Sequence, residues 1–156
     1  SAVPNHQVGR TTPLKTRGHA AMSGTFGYEL DLTKLTDEEK EEVKEQVKLY
    51  KEIRPIIQFG EFYRLLSPFE GSSAAWMFVT EDKREAIAFY FQIDADAAGP
   101  LRKLRLKGLD PELDYELVGG GEPSVYGGDH LMSIGVAIPA LKGDYLSVMY
   151  RFKARP

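Results

Sequence analysis

Two acidic side chains in the N-terminal third of the chain have a spacing that could support acid–base chemistry. Glu29 and Asp31 lie two residues apart in the segment SGTFGYELDL, residues 23–32. The segment alternates apolar and polar residues, which predicts a β-strand with both carboxylates on one side. Paired carboxylates can act as general acid and base, for example in the cleavage of a glycosidic bond. Neighbouring carboxylates on the polar side of a strand are more often simply solvated, and we favour that interpretation.

Other candidate catalytic and metal-binding groups lack the spacing that their chemistry needs. The histidines His6, His19 and His130 are far apart in sequence and show no metal-ligand spacing. The glycine-rich segment GGGEPSVYGG, residues 119–128, has neither the lysine nor the strand–loop–helix context of a phosphate-binding loop. We interpret it as a flexible connection between strands. The residues alone therefore predict no catalytic, cofactor-binding or metal-binding residue and no cofactor.

Aromatic side chains provide an alternative function, the binding of sugars by ring stacking. Most of them alternate with other apolar residues in predicted strands, so core packing is the better interpretation. Tyr126, in the glycine-rich segment, is the one that we expect to be exposed. A carbohydrate-binding module thus stays open as an alternative, with these candidate residues: Trp76, Phe78, Phe89, Tyr90, Phe91, Tyr126 and Tyr145.

Composition excludes several classes of protein. The 156 residues carry a formal net charge of −3, and the only basic cluster is LRKLRLK at residues 101–107, so we expect no nucleic-acid partner. No apolar run approaches the ~20 residues that a membrane helix needs, so we expect no membrane partner. The sequence contains no cysteine, which fits a reducing compartment and predicts a cytoplasmic protein.

The clearest local signal is a long amphipathic helix at residues 36–58. Thr36 and Glu39 have the spacing of a capping box. Pro55 lacks an N–H group, so we expect a kink or a stop at Arg54. Apolar residues at three- and four-residue spacing form one stripe that must pack on something: Val43, Val47, Leu49, Tyr50, Ile53, Ile56 and Ile57.

The segment before this helix predicts a helix and a strand. Thr12 and Pro13 have the types preferred at the cap and first turn of a helix over residues 14–22, and the alternating strand at 23–32 follows. This helix–strand–helix order is typical of βα-repeat folds with a parallel sheet. A single strand cannot form a sheet, and no second βα unit follows.

After residue 60 the pattern changes to short strands separated by turn residues. Seven strands are predicted, at 61–67, 74–81, 85–93, 101–109, 114–119, 130–138 and 144–154. This pattern favours an antiparallel β-sandwich of Greek-key type. The nearly continuous apolar run AIAFYFQI predicts a central strand that is buried on both sides. We therefore divide the chain into residues 1–59 and residues 60–156.

Several long phrases resemble the C-terminal region of family 36 glycoside hydrolases, the retaining α-galactosidases. They are RTTPLKTRGHAAMSG, FGYELDL, YKEIRP, GEFYRLLSP, LRLKGLDPELDYEL and YGGDHLM, and the resemblance extends over essentially the whole chain. It implies that residues 12–22, 25–32 and 36–58 are the last helix–strand–helix of an incomplete (β/α)8 catalytic barrel. Residues 60–156 would then form a C-terminal antiparallel β domain.

The same resemblance implies the chemistry of a longer enzyme. The family's two catalytic aspartates lie in a K-W-D-type strand end and an S-D-N-T-D-type stretch, and neither motif occurs in this sequence. We therefore expect the chain to be a non-catalytic fragment of an α-galactosidase that cleaves raffinose- and melibiose-type galactosides by double displacement. Its partners would be the rest of the parent chain, the galactoside substrate and, as the family suggests, further copies in a homo-oligomer of a bacterial cytoplasm. A carbohydrate-binding module and an oligomerisation domain are the alternatives.

Overall fold

A computed structural model describes residues 7, 9–29, 31–95, 102–119 and 124–156 of the chain. Within these residues the α-helices are α1 (Leu14–Met22), α2 (Asp37–Phe59) and α3 (Gly128–Ser133). The strands are β1 (Glu61–Leu66), β2 (Ser73–Val79), β3 (Glu85–Gln92), β4 (Lys103–Leu104), β5 (Asp114–Val118), β6 (Ser124–Gly127), β7 (Val136–Ala137) and β8 (Leu146–Ala154).

Most strands join one antiparallel sheet in the order β1-β2-β3-β8-β5-β6, and β4 pairs with β7 in a separate two-stranded sheet. The predicted mostly-β, antiparallel character is confirmed. β3 lies between β2 and β8, and its residues 86–91 are all buried, so the prediction of a central strand from AIAFYFQI is also confirmed. The predicted strands at 61–67, 74–81, 85–93, 114–119 and 144–154 correspond to β1, β2, β3, β5 and β8.

The large sheet is covered on both faces, each by a different kind of layer. On one face the side chains of β2, β3, β5 and β8 pack against Leu104, Leu106, Leu131 and Val136, which come from the small sheet, the segment after β4 and α3. On the other face Phe78, Ile87 and Phe89 pack against α1 and α2 through Met22, Ile53 and Ile56. Period-two alternation explains this division, because successive residues of a strand point to opposite faces.

The predicted strand at residues 23–32 is wrong for the described part of that segment. Residues 23–29 and 31 contain no strand, and Leu32–Lys34 form a short 3-10 helix. A strand exists only through backbone hydrogen bonds to a neighbour, and no described strand pairs with this segment. Instead the ring of Phe26 lies 5.1 Å from that of Tyr28 and 5.0 Å from that of Tyr50, so aromatic packing ties the segment to α2.

Two predicted strands near the C-terminus are largely replaced by other structure. Of the stretch 101–109, only Lys103–Leu104 is a strand; Leu101 lies outside the described residues. Of the stretch 130–138, the first part belongs to α3 and only Val136–Ala137 is a strand. Gly135 ends that helix with a φ of +91°, a conformation that glycine adopts readily. This positive-φ residue interrupts the apolar pattern that resembled one continuous strand.

The prediction of a flexible loop is wrong for the described C-terminal end of the glycine-rich segment. Ser124–Gly127, which belong to this segment, form β6 and pair with β5. Residues 120–123 lie outside the described part of the chain. Gly128 then begins α3, and its N–H donates to the carbonyl of Leu113 at 2.8 Å.

The helix ends match the predictions in part. The capping box of α2 is confirmed, since Glu39 N–H donates to Thr36 Oγ1 at 3.2 Å and Thr36 N–H donates to the Glu39 carboxylate at 3.0 Å. Of the kink or stop expected at Arg54, the stop is wrong, because α2 continues through Pro55 to Phe59; the kink stays a prediction. The prediction for Thr12 is also wrong: α1 begins after Pro13, which is itself the cap residue and makes no side-chain cap.

The apolar stripe of α2 is only partly covered by this chain. Ile53 and Ile56, in the C-terminal half of the helix, are buried against the sheet, and this burial explains why the helix tolerates Pro55. In the N-terminal half, Val43 and Val47 stay half-buried. They lie in an open groove of about 530 Å³ whose lining residues all belong to α2. We call it the α2 groove; it is lined by Val43, Lys44, Val47, Lys48, Lys51 and Glu52.

This division predicts different costs for truncating the two halves of the stripe. Ile53→Ala leaves a cavity between helix and sheet, and we expect a loss of about 2–5 kcal/mol in the free energy of unfolding. Val47→Ala, in the open groove, should cost about 1 kcal/mol or less. Urea unfolding of both variants measures the difference. Equal losses would contradict the packing described.

The close approach of Gly128 to the backbone of Asp110 gives a second prediction, for the stability of a Gly128 variant. A β-carbon at this position would overlap the carbonyl oxygen of Asp110, so Gly128→Ala requires the backbone to move and should cost about 1–3 kcal/mol. Gly24→Ala is the matched control, because a β-carbon at Gly24 meets nothing within 4 Å. Thermal unfolding compares the two variants, and a Gly128→Ala protein as stable as the Gly24→Ala protein would refute the close approach.

Candidate functional site

The two carboxylates selected from the sequence do not form a catalytic pair in this structure. Both Glu29 and Asp31 are exposed. Asp31 caps the 3-10 helix, accepting hydrogen bonds from Thr33 N–H at 3.0 Å and from the Thr33 hydroxyl. These hydrogen bonds hold the pKa of Asp31 below its ordinary value. A general acid at neutral pH needs the opposite shift, so Asp31 has a structural role as a cap.

Glu29 borders a small cleft between α1 and the segment that follows it. The cleft holds only about 60 Å³, and Arg17, Gly18 and Tyr28 are among its other lining residues. Ligand pockets usually measure about 300–1,000 Å³. The cleft as formed by this chain is therefore far too small for a sugar ring.

The histidines are dispersed, and one of them makes a buried polar contact that joins the helical layer to the sheet. His6 lies outside the described residues, and His130 belongs to α3. His19 Nδ1 lies 2.8 Å from Ser147 Oγ on β8, and Ser147 donates in turn to Thr16 Oγ1 at 3.1 Å. We call His19, Ser147 and Thr16 the α1–β8 cluster. All three side chains are buried.

Burial controls the protonation of this cluster. Desolvation lowers the pKa of His19 from 6.5 to about 4, with a further contribution from the positive charge of Lys15. The ring of Phe89 on β3 packs beside the imidazole at a centroid distance of 6.1 Å. His19 is therefore neutral at pH 7, and it acts as a hydrogen-bonding core residue rather than as an acid or base.

A second polar network holds α1, α2 and the connecting segment together. Gln46 is buried on α2; its amide donates to the carbonyl of Leu14 at 3.3 Å and its oxygen accepts from the Tyr28 hydroxyl. Gly18 faces the same amide, and a β-carbon there would overlap it. Farther along, Trp76 Nε1 donates to Ser23 Oγ at 2.7 Å. Side chains from the helical layer thus reach the sheet by directed bonds as well as by apolar packing.

The aromatic residues proposed for sugar stacking are mostly core residues, as expected. Phe78, Phe89, Tyr90 and Phe91 are buried, and the half-buried Trp76 stacks on Phe91 at a centroid distance of 4.7 Å. The half-buried Tyr145 has the guanidinium of Arg10 4.2 Å above its ring.

The prediction that Tyr126 is exposed is wrong. Tyr126 is half-buried, packs against the core beneath β6, and lies 5.9 Å from the ring of His130. The β5–β6 pairing fixes its side chain on the sheet, whereas the sequence suggested a free loop.

Among the described residues, no three His, Asp or Glu side chains cluster as metal ligands. No described helix combines the length and the apolar character needed to span a bilayer.

Two family models match consecutive parts of the chain. The model described as Melibiase matches residues 1–60, and the glycosyl hydrolase family 36 C-terminal domain matches residues 73–152, about half of the sequence. The chain belongs to glycosyl hydrolase family 36. The resemblance inferred from the sequence phrases is thereby confirmed.

Curated family 36 proteins align with nearly the whole chain. Alpha-galactosidase AgaA of Geobacillus stearothermophilus is 62% identical over 99% of this chain. Alpha-galactosidase 1 of Pediococcus pentosaceus is 47% identical over the same share. In both cases the aligned region is 21% of the relative, so the chain spans about a fifth of the length of the family 36 proteins it matches.

Solved family 36 structures contain the same fold. The crystal structure of AgaA superposes with a TM-score of 0.93 at 61% identity, covering 99% of this chain and 21% of AgaA. The galactosidase domain of the alpha-galactosidase–sucrose kinase AgaSK gives 0.94 at 40% identity, again over 99% and 21%. Variants of AgaA have been crystallised with raffinose and with stachyose. The fold of this chain is thus a recurrent part of larger family 36 proteins.

The buried His19 of the α1–β8 cluster predicts that the free energy of unfolding depends on pH. Because burial lowers the pKa of His19 to about 4, the unfolded state binds a proton first as the pH falls below 6.5. The free energy of unfolding should therefore be highest above pH 6.5 and fall by up to about 3 kcal/mol towards pH 4.

Urea unfolding at pH 7.5, 5.5 and 4.5 measures this loss. Since carboxylates also titrate in this range, the comparison is with His19→Gln, which keeps a hydrogen-bonding group for Ser147 but cannot gain a proton. We expect a shallower dependence on pH in the variant. Parallel pH profiles would show that His19 is not buried in its neutral form.

Proposed function

We propose that this chain is the C-terminal part of a retaining α-galactosidase that cleaves terminal α-galactosyl units from raffinose- and melibiose-type oligosaccharides. The observation that carries the proposal is the 62% identity to AgaA over 99% of the chain, confined to 21% of that enzyme. Complexes of AgaA variants with raffinose and stachyose support this class of substrate.

The chemistry of such an enzyme resides in parts that this chain lacks. Retaining glycosidases need a carboxylate nucleophile and a carboxylic acid that protonates the leaving oxygen, about 5–5.5 Å apart. The family motifs that carry these groups are absent from the sequence, and the two carboxylates considered as substitutes are exposed, with Asp31 engaged as a cap. The contribution of this chain is to complete the barrel wall and to anchor it on the β domain.

The division of labour follows the contacts between the layers. Residues 1–59 would supply the last elements of the barrel, and residues 60–156 the C-terminal β domain. Support comes from the separate matches of the two family models at 1–60 and 73–152. In this arrangement the α1–β8 cluster and the contacts of Ile53 and Ile56 fix the end of the barrel to the sheet.

Uncovered apolar surface supports contact with further protein. In the α2 groove, Val43 and Val47 are half-buried between three lysines. Near the start of the sheet, Phe59 is 78% exposed and Phe62 is 50% exposed. Surfaces of this kind usually mark protein contacts. They fit packing against upstream parts of the parent chain and assembly into a homo-oligomer, in which this domain would lie at subunit contacts.

A cytoplasmic location in a bacterium completes the proposal. It is supported by the absence of cysteine from the sequence, which fits a reducing compartment, and by the bacterial origin of AgaA and of alpha-galactosidase 1.

Hydrolysis of a chromogenic α-galactoside tests the proposal. The full-length protein to which this chain belongs should release the chromophore, whereas the 156-residue chain alone should release none, because it carries neither catalytic carboxylate. Activity of the isolated chain would contradict the proposal. In that event Glu29→Gln and Asp31→Asn would identify the carboxylate responsible.

A further inference from the structure

Tyr145 has a backbone conformation that few residues other than glycine adopt. Its φ is +55°, in the left-handed region where a β-carbon crowds the backbone. Among the described residues, Lys83 is the only other non-glycine residue with a positive φ, and it lies in the exposed turn between β2 and β3. Tyr145 is half-buried, directly before β8. Backbone strain of this kind is often found at functional sites, so the conformation of Tyr145 points to a role beyond that of a turn.

Hydrogen bonds from the end of β3 hold Tyr145 in this conformation. Tyr145 N–H donates to the carbonyl of Ile93 at 3.2 Å. The side-chain amide of Gln92 donates to the carbonyls of Gly143 at 2.7 Å and Leu141 at 3.2 Å. These three bonds fix the turn before β8 at several points. The strained φ persists because the surrounding structure determines the path of the chain.

The ring of Tyr145 contacts the segment that leads into α1. The guanidinium carbon of Arg10 lies 4.2 Å from the centroid of the Tyr145 ring, within the distance of a cation–π interaction. At the other end of the segment, Arg17 Nε on α1 donates to the carbonyl of Thr12 at 3.0 Å. Residues 10–12 are therefore held at both ends, by β8 and by α1. We call the contact of Arg10 with Tyr145 the latch.

The latch adjoins the α1–β8 cluster, because Ser147 follows Tyr145 by two residues. Ser147 contacts Thr16 and His19 within α1, whereas Tyr145 contacts Arg10 before the helix begins. The cluster is sufficient to place α1 on the sheet. The latch adds a hold on the preceding segment, which α1 itself does not need.

In the proposed barrel, the segment before α1 has a defined place. If α1 is a barrel helix, the residues before it form the loop that leads from a barrel strand into that helix. Active sites of (β/α)8 barrels are built from these strand-to-helix loops. Arg10 would then lie in a loop of the active-site face, while Tyr145 belongs to the β domain. This step rests on the proposed function.

We infer that Tyr145 is a positioning residue for the proposed hydrolysis: its ring holds Arg10, and with it the loop before α1, in the arrangement that the active site needs. Tyr145 acts through this loop and does not itself contact the substrate. A glycine at position 145 would relieve the strained φ but would provide no ring. The need for the ring explains why a tyrosine occupies a position whose backbone favours glycine.

Kinetics of the full-length protein on a chromogenic α-galactoside test this inference. We expect Tyr145→Gly to lower kcat/KM by about tenfold or more, because small displacements of active-site groups are costly. Its thermal midpoint should stay close to that of the unmodified protein, since relief of backbone strain offsets the lost ring contact. Tyr145→Phe keeps the ring and should keep kcat/KM. The matched control is Lys83→Gly, which relieves the same kind of strain and leaves the latch intact; its kcat/KM should be unchanged.

Cleavage by trypsin after Arg10 tests the latch in the 156-residue chain without any need for activity. The ring covers the Arg10 guanidinium, so its loss should raise the rate of cleavage at this bond about fivefold in Tyr145→Gly. Tyr145→Phe and Lys83→Gly should be cleaved at the rate of the unmodified chain. Mass spectrometry of the fragment that ends at Arg10 separates this bond from other sites.

Four outcomes would overturn the inference: an unchanged kcat/KM in Tyr145→Gly, an equal loss in Tyr145→Phe or in Lys83→Gly, a loss of kcat/KM that only parallels a loss of stability, or an unchanged rate of cleavage after Arg10. Absence of hydrolysis by the unmodified full-length protein contradicts the proposed function instead. In that case the role in hydrolysis is lost with it, and the trypsin result still decides whether the ring of Tyr145 holds Arg10.

Discussion

The structure depends on the contact between the helical layer and one face of the large sheet. Ile53 and Ile56 of α2, together with Met22 of α1, cover Phe78, Ile87 and Phe89. Without the helices this face would expose a broad apolar surface, which isolated sheets do not tolerate in water. The contact also explains why α2 passes through Pro55 without ending, since the burial on either side offsets the lost backbone hydrogen bond. In this way one apolar interface stabilises the C-terminal half of α2 and holds α1 against the sheet.

Directed polar bonds give this interface its register. Apolar packing is non-directional and would accept several positions of α1 along the sheet. The α1–β8 cluster restricts them, because His19 is buried and requires the hydroxyl of Ser147 at one place only. Arg151 on β8 similarly meets Glu52 of α2 at 2.9 Å. Breaking a buried polar contact is costly, so the contact of His19 with Ser147 selects one arrangement from among those that apolar burial permits. The Arg151–Glu52 pair is partly exposed and contributes less.

Sequence reasoning succeeded where local signals decide the structure and failed where distant contacts do. The capping box of Thr36, helix α1 and the central strand β3 follow from spacing within one segment, and they were predicted. The strand expected at 23–32 has a genuine alternating pattern but no described pairing partner, so the pattern alone could not make a strand. The strand expected at 130–138 and the exposure expected for Tyr126 failed for the same reason: Gly135 approaches the Leu104 carbonyl and Tyr126 packs beside His130. Contacts between residues 128 positions apart, such as that of His19 with Ser147, cannot be inferred from local spacing.

The failed strand also clarifies how the chain relates to the larger fold of its family. In the proposed barrel, a strand formed by FGYELDL would need a neighbouring strand on each side, and the described residues provide neither. The α2 groove fits the same proposal, because Val43 and Val47 are only half-buried by the described residues. By contrast, the helical layer contacts the sheet both by apolar packing and by the hydrogen bond that Trp76 donates to Ser23. The chain thus packs closely where the helical layer meets its own sheet and less closely along the N-terminal half of α2, an asymmetry that fits the proposed position between a barrel and the β domain.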